Sequence, residues 1–309
     1  MGGSGGYFNI TKPNELVKKL RESEDESQHA EFDTTVSAYI SDLLTRYNDR
    51  DVSAITKHLD SIKEALKKDI EGTIDLLFGG SITKQTYVDG ISDVDTLVIL
   101  NNTDIKDFSP TEVMNYFFLR LKERLPNTEM IRGTLAVTIK YADIEIQLLP
   151  TVKVHGGFKI ADADGTGWSR IQPDKFTSLL TSINQQCNNK VVPTIKIAKS
   201  IISTFPENRK LSGYHVESLA LEIFKDYDGP KTTKSLLKYF FSEGSARVLD
   251  PIKDKTGQSI YVDDYLGEAN SLGRKIVADS LGRIGRKIKN ADGAQSIDQW
   301  KNILDNIHG

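Results

Sequence analysis

Cysteine is almost absent: Cys187 stands alone in 309 residues. A single thiol closes no internal disulfide and anchors no cysteine-rich zinc site. The histidines are few and scattered, at His29, His58, His155, His215 and His308, without the spacing of metal ligands on a helix or hairpin. No run of about 18 apolar residues occurs, which excludes a membrane-spanning helix. An excess of either charge is also missing. Lys and Arg total 40 against 43 Asp and Glu, for a net charge of −3, so no basic coat covers the whole molecule, although a local patch stays open. The opening Met1-Gly-Gly-Ser-Gly-Gly6 lacks the apolar core of a signal peptide, and residues 1–13 read as a flexible tail. With 38% hydrophobic residues the chain is too apolar for disorder. These features predict a globular protein of a reducing cytoplasm, built as two domains or one bilobal unit.

Periodicity divides the chain into three parts. Val36, Ile40, Leu43 and Leu44, then Ile55, Leu59, Ile62, Leu66 and Ile70, recur at helical spacing and predict two helices, the second capped by Asp51 or Ser53. Strands are expected over 73–78, 94–100, 134–139 and 144–149. Between them a helix runs from Pro110 to about Arg124, with Val113, Phe117, Leu119 and Leu121 as its apolar residues. Beyond Trp168 the pattern predicts helices near 173–186, 191–204, 213–226, 231–242, 266–284 and 295–307. No internal repeat occurs. The expected fold is α+β, with a catalytic lobe over 14–165 that includes the N-terminal helices and a helical lobe over 166–309.

The chemistry concentrates between Phe78 and Leu100. Asp93 and Asp95 stand two apart at the start of a strand, where side chains at i and i+2 share a face. Two anions so placed repel unless a cation lies between them, and a hard, oxygen-seeking ion such as Mg²⁺ resolves the conflict. Gly80-Ser81 supplies the complement. Glycine lets the backbone approach a ligand, and a helix opening at Ser81 would aim N–H groups and a positive dipole end at an anion. Such a combination suits a triphosphate with its metal. On the later strand Asp143, Glu145 and Gln147 share the polar face, and Glu145 is the expected third oxygen ligand. Singly, an Asp-x-Asp pair is a common solvated strand end and Gly-Gly-Ser a common turn. Their order, with apolar strands beside them, is what carries meaning.

At these residues the chain resembles the DNA polymerase β-like nucleotidyltransferases, whose fingerprint is a Gly-Ser turn, an Asp-x-Asp strand and a later carboxylate. Ile195-Lys-Ile-Ala-Lys199, Leu211-Ser-Gly-Tyr-His-Val-Glu-Ser-Leu219, Asp263-Asp-Tyr-Leu-Gly267 and the basic C-terminal helix are similar to the bacterial cGAS/DncV-like nucleotidyltransferases (CD-NTases). The likeness spans nearly the whole chain from about residue 30. It implies a bilobal fold, with a small mixed sheet and a helical C-terminal lobe, and synthesis of a cyclic oligonucleotide messenger from NTPs in anti-phage signalling. The leading expectation is an adenosine-containing cyclic trinucleotide, with ATP among the substrates and a downstream effector that reads the product.

The same resemblance implies residue roles. Asp93, Asp95 and Glu145 would bind two Mg²⁺ ions, with Mn²⁺ as a substitute, and Gly80 and Ser81 would hold donor phosphates. Lys199 and Ser212 would contact the triphosphate, and Tyr214 would stack on a base. Relatives often carry Asp three residues before the Pro that ends the third catalytic strand, and here that position is Gln147. The implied activators are a protein partner or double-stranded DNA. Arg274, Lys275, Arg283, Arg286, Lys287 and Lys289 form a basic run that reads as a solvated helix face or as a nucleic-acid contact. Two alternatives stay open: transfer of a nucleotide to a separate acceptor, and a non-catalytic nucleotide or nucleic-acid sensor.

Overall fold

A computed structural model describes residues 13–47, 52–67, 75–78, 94–99, 108–141, 144–162, 165–257 and 259–305. Among these, nine α-helices and seven strands form an α+β molecule with two main cores.

The sheet runs in the order β1-β2-β5-β4-β3, from β1 (Asp75–Phe78), β2 (Val94–Ile99), β3 (Glu129–Arg132), β4 (Val137–Tyr141) and β5 (Ile144–Val154). Strands β2 and β5 are parallel and the other pairs antiparallel, so the sheet is mixed. Strand β5 is its axis. Its first half lies between β2 and β4, while Val152 to Val154 pair with β6 (Gly157–Ala161), which pairs in turn with β7 (Trp168–Ile171). Pro150 falls where the β4 ladder has ended at Leu148 and the β6 ladder has not begun. Its missing N–H therefore interrupts no pairing on that side. The hairpin into β6 turns at Gly156, whose φ of 74° is a left-handed conformation that glycine adopts without strain.

Helix α1 spans Pro13–Tyr47, α2 spans Val52–Lys67 and α3 spans Pro110–Arg124. Ser109 caps α3 in a capping box: its side chain accepts from the Glu112 N–H, and Glu112 accepts from the Ser109 N–H at 2.7 Å. Val113, Phe117 and Leu121, four apart, bury one stripe against Ile146, Leu148, Val137 and Ile139 of the sheet and Leu59 and Ile62 of α2. Leu119, the other apolar residue named for this helix, lies half a turn from Phe117 and is 59% exposed.

Helices α4 (Pro173–Gln186), α5 (Val191–Ser203), α6 (Gly213–Phe224), α7 (Thr233–Arg247), α8 (Leu272–Gly293) and α9 (Ile297–Leu304) build the second core. By packing, α1 goes with them. Val36, Ile40, Leu43 and Tyr47 enter the helical core, and the Tyr47 hydroxyl lies 2.6 Å from Ser200 Oγ on α5. Only α2, of the two N-terminal helices, packs on the sheet side, so α1 crosses the division expected at 165/166. The strand expected at 134–139 begins three residues later, as β4 at Val137, because residues 133–136 form a turn closed by a Gly133 N–H to Ala136 carbonyl bond of 2.8 Å. Ser53 is inside α2, and Asp51 lies outside the described residues. Helix α8 begins at its Ser271 cap and runs through Gly285, where a Cβ would meet the Phe241 backbone at 3.3 Å. A glycine that looks like a helix end in sequence is here the point of closest approach to α7.

Phe117 is fully buried between helix and sheet. Phe117→Ala is expected to remove about 3–5 kcal/mol of stability, measured as a shift in the urea midpoint at unchanged slope.

Candidate functional site

Parallel pairing of β2 with β5 sets Asp95 directly opposite Gln147. Gln147 is half-buried in its strand, between the buried Ile146 and Leu148. Glu145, the expected third ligand, is exposed and 3.2 Å from Lys140 of β4, whose ammonium it holds above the usual lysine range. The polar residue at the register position of Asp95 is thus an amide, with the acid two residues earlier at the start of the strand. Asp93, Asp143, Gly80 and Ser81 lie outside the described residues, and so does the expected convergence of Asp93 and Asp95 with the Gly-Ser turn. Among the described residues no group of three or more His, Cys, Asp or Glu is gathered for a metal. The donor set named from sequence is nonetheless all oxygen, the chemistry that suits a hard divalent cation.

The other three predicted residues assemble at the start of α6. Ser212 is its N-cap, accepting from the His215 N–H at 3.1 Å. A Cβ at Gly213 would lie 3.4 Å from Lys199 Nζ, so the Lys199 ammonium sits beneath the first turn of α6. Lys199 is not the exposed lysine that an apolar helix would ordinarily carry. Its side chain is 4% exposed and its Nζ lies 2.7 Å from Glu217 Oε1, itself 1% exposed. Lys196, one turn earlier on α5, has its pKa lowered by burial and by the neighbouring Lys199 charge. Tyr214 is half-buried, its ring 5.1 Å from that of Phe176 on α4 and its hydroxyl donating to Asp254 Oδ1 at 2.6 Å. Burial, followed by the Asp254 carboxylate, pushes the phenol pKa up.

The sequence reading does not single out Glu217, although a signal exists: Lys199 and Glu217 are opposite charges in two largely apolar helices. Asp254 lies 40 residues from Tyr214 and offers no such signal.

Behind this end of α6 lies a second buried charge group. Arg274 and Asp263 are both fully buried, with Arg274 Nη1 donating to Asp263 Oδ2 at 2.7 Å. Arg274 also donates to the carbonyls of Val248, Gly267 and Glu268. Asp263 Oδ1 accepts from the Ile252 N–H at 3.0 Å. The expected basic run is therefore two things: Arg274 is internal, while Lys275, Arg283, Arg286, Lys287 and Lys289 are exposed. Asp279, the acid of that face, pairs with Arg283 at 2.6 Å. His215 is buried beside the group, its Nδ1 2.8 Å from the Tyr265 hydroxyl. Burial drives its pKa down to about 4, against the opposing pull of Asp263.

A mixed sheet with parallel β2 and β5, packed beside a helical lobe, is the bilobal architecture of the polymerase β-like nucleotidyltransferases. Comparison with known proteins narrows the class. Residues 33–184 match the family described as Second Messenger Oligonucleotide or Dinucleotide Synthetase domain. The match covers just under half of the chain, and the fold around it is that of the CD-NTases. The chain's fold is similar to Escherichia coli MS115-1 CdnC in complex with HORMA-deltaN, at TM-score 0.65 and 13% identity, over 85% of this chain and 92% of that one. It is similar to Escherichia coli DncV bound to 3'-deoxy GTP, at TM-score 0.65 and 10% identity, over 97% and 91% of the two chains. Rhodothermus marinus CdnE c-UMP-AMP synthase with Apcpp and Upnpp superposes at TM-score 0.57 and 17% identity, over 78% and 94%. Comparison with curated proteins gives no match. No helix among the described residues is long and apolar enough to cross a membrane.

Arg274→Met is expected to cost about 3–5 kcal/mol, because it leaves Asp263 buried and unpaired, and chemical denaturation measures the loss. His215 generates a pH dependence. Its folded pKa lies below the ordinary value of 6.5, so between about 6.5 and about 4 the unfolded chain binds more protons than the folded one. The contribution is complete above that window and is lost as pH falls through it. His215→Gln should flatten that part of the curve of urea midpoint against pH.

Proposed function

We propose that the chain makes an adenosine-containing cyclic oligonucleotide, with a cyclic trinucleotide as the leading product, from ATP and other NTPs in bacterial anti-phage signalling. The observation that supports this reading is the parallel pairing of β2 with β5, which sets Asp95 at the register of Gln147. The synthetase-domain match over 33–184 spans both strands.

In the proposed reaction a ribose hydroxyl oxygen attacks the α-phosphorus of a bound NTP. A new P–O bond forms, the α–β phosphoanhydride bond breaks, the hydroxyl proton passes to solvent and pyrophosphate leaves. Repetition lengthens the chain, and an intramolecular attack closes the ring. Asp93 and Asp95, with Glu145 or the Gln147 amide oxygen as a third donor, would hold two Mg²⁺ or Mn²⁺ ions. When bound, these ions supply Lewis acidity at the attacking hydroxyl and at the leaving pyrophosphate. Gly80 and Ser81 would cradle donor phosphates. The Ser212 cap and the N-terminal end of α6 favour an anion there. The Lys199 ammonium lies beneath that turn, paired with Glu217. Tyr214 offers an aromatic face for base stacking, which suits a ring with a polar tip.

The HORMA partner of the CdnC structure supports a protein activator for this chain, and the exposed basic face of α8 supports double-stranded DNA as the alternative. One unpaired, buried thiol at Cys187 suits a reducing cytoplasm.

Asp95→Asn is expected to keep the fold and lower product formation by about 10²–10³-fold, the scale of losing one preorganised electrostatic contact. Mass spectrometry of products from labelled NTPs with Mg²⁺ measures it. Undiminished product from a chain lacking both Asp93 and Asp95 would defeat the mechanism. Product that forms only when a separate acceptor is supplied would replace cyclisation with transfer.

A further inference from the structure

The segment from Ile252 to Val262 folds back on itself. Val262 donates to the Ile252 carbonyl at 2.9 Å, Asp254 to that of Ile260 at 3.2 Å, and Lys253 and Tyr261 form a β-bridge. Its base is clamped by Asp263, which accepts from Ile252 and is held by Arg274. Its tip reaches the end of the sheet, where the Thr256 carbonyl accepts from the Gln172 N–H at 2.9 Å, between β7 and α4. This strap therefore joins the helical lobe to the sheet and passes over the start of α6.

One carboxylate organises the strap. Asp254 Oδ1 accepts from the Thr256 N–H and hydroxyl, both at 2.7 Å, and Oδ2 accepts from the Ser259 N–H at 3.1 Å and hydroxyl at 3.2 Å. Oδ1 also takes the Tyr214 hydroxyl at 2.6 Å. Burial raises the Asp254 pKa, but hydrogen bonds from Tyr214, Thr256 and Ser259 outweigh it and hold the carboxyl below its usual range. It therefore meets Tyr214 as an anion accepting from a neutral phenol. The Tyr214 ring is thus located twice: its tip by Asp254 and its body by Phe176, 5.1 Å away between centroids. The ring keeps a partly exposed surface in a fixed orientation.

We propose that Asp254 is a positioning residue for nucleotide binding, which anchors the Tyr214 hydroxyl so that the ring is presented to a base already oriented. The proposal rests on the reading that Tyr214 stacks on a nucleobase. Its advantage is preorganisation: a ring held before binding loses little rotamer freedom on binding, and release of the anchor restores that loss. Since the Tyr214 hydroxyl already donates to Asp254, the expected effect falls on affinity and not on the chemical step.

The test uses the full chain with ATP and Mg²⁺, read as KM against kcat and as the equilibrium Kd for ATP by calorimetry. Tyr214→Phe, which keeps the ring and the strap, and Asp254→Ala are each expected to raise KM and Kd about 3- to 10-fold. Both should leave kcat within about twofold, since the contact is uniform binding. The double variant should be no weaker than either single one, because both remove the same contact. Asp254→Asn, whose amide oxygen can still accept from the phenol, should restore most of the affinity. Wild-type affinity in Tyr214→Phe overturns the proposal even where Asp254→Ala is impaired, since that loss would come from the strap alone. Tyr214→Ala separates the two ideas. Weakened ATP binding in Tyr214→Ala beside wild-type binding in Tyr214→Phe keeps the stack and removes the anchor, whereas wild-type binding in Tyr214→Ala removes both.

Discussion

A single guanidinium joins the parts of the helical lobe that matter for the site. Arg274 and Asp263 are completely buried, and Arg274 spends its fork of donors on the Asp263 carboxylate and on carbonyls of Val248, Gly267 and Glu268. Three stretches of chain thereby meet at one residue: the end of α7, the strap base and the start of α8. Desolvation makes such a pair a poor source of net stability. Its value is geometric, because a planar fork of fixed donors accepts only one arrangement of acceptors. The strap that carries Asp254 starts and ends at this clamp, and Asp254 in turn holds Tyr214.

The same logic recurs one helix away. Lys199 and Glu217 pair in a nearly dry site directly under the cap of α6. Internal charges thus set the position of the first turn of α6, while apolar residues such as Val216 and Leu219 hold the rest of that helix in the core. The N-terminal end of a helix favours anions there, opposite in character to the acid-bearing strands of the sheet. A polyphosphate chain with attendant divalent ions needs both kinds of surface: acids for the ions, and amide and ammonium groups for the phosphates. In the proposed function these would come from different lobes. Strand β5 connects the arrangement through its ladder to β2 at one half and to β6 at the other.

Much of the fold was legible in the sequence where periodicity was strong. Helix α4 begins at the expected Pro173 and ends at the expected residue 186, and α3 runs from Pro110 to Arg124 as expected, since proline and capping residues mark their ends. Strands β3, β6 and β7 were not foreseen. They are short ladders of four or five residues whose existence depends on partners elsewhere in the chain. Helix α8 was placed too early and ended too soon, because Gly285 reads locally as a breaker and serves tertiarily as a close contact. Leu119 is as apolar as its neighbours, but its angular position on α3 turns it to solvent.

By itself the sequence determined the chemical types and many of the elements: an Asp-x-Asp motif, a Gly-Ser pair, a lysine and a tyrosine beside a serine cap. Those are local, and local spacing encodes them. Only the tertiary structure decided which groups meet. It set Gln147 rather than Glu145 opposite Asp95, buried Lys199 against Glu217, drew Arg274 out of a basic run into the core and brought Asp254 to Tyr214. The reason is physical. Pairing between distant residues depends on strand register and on the desolvation of specific side chains, and neither quantity exists until the chain has folded.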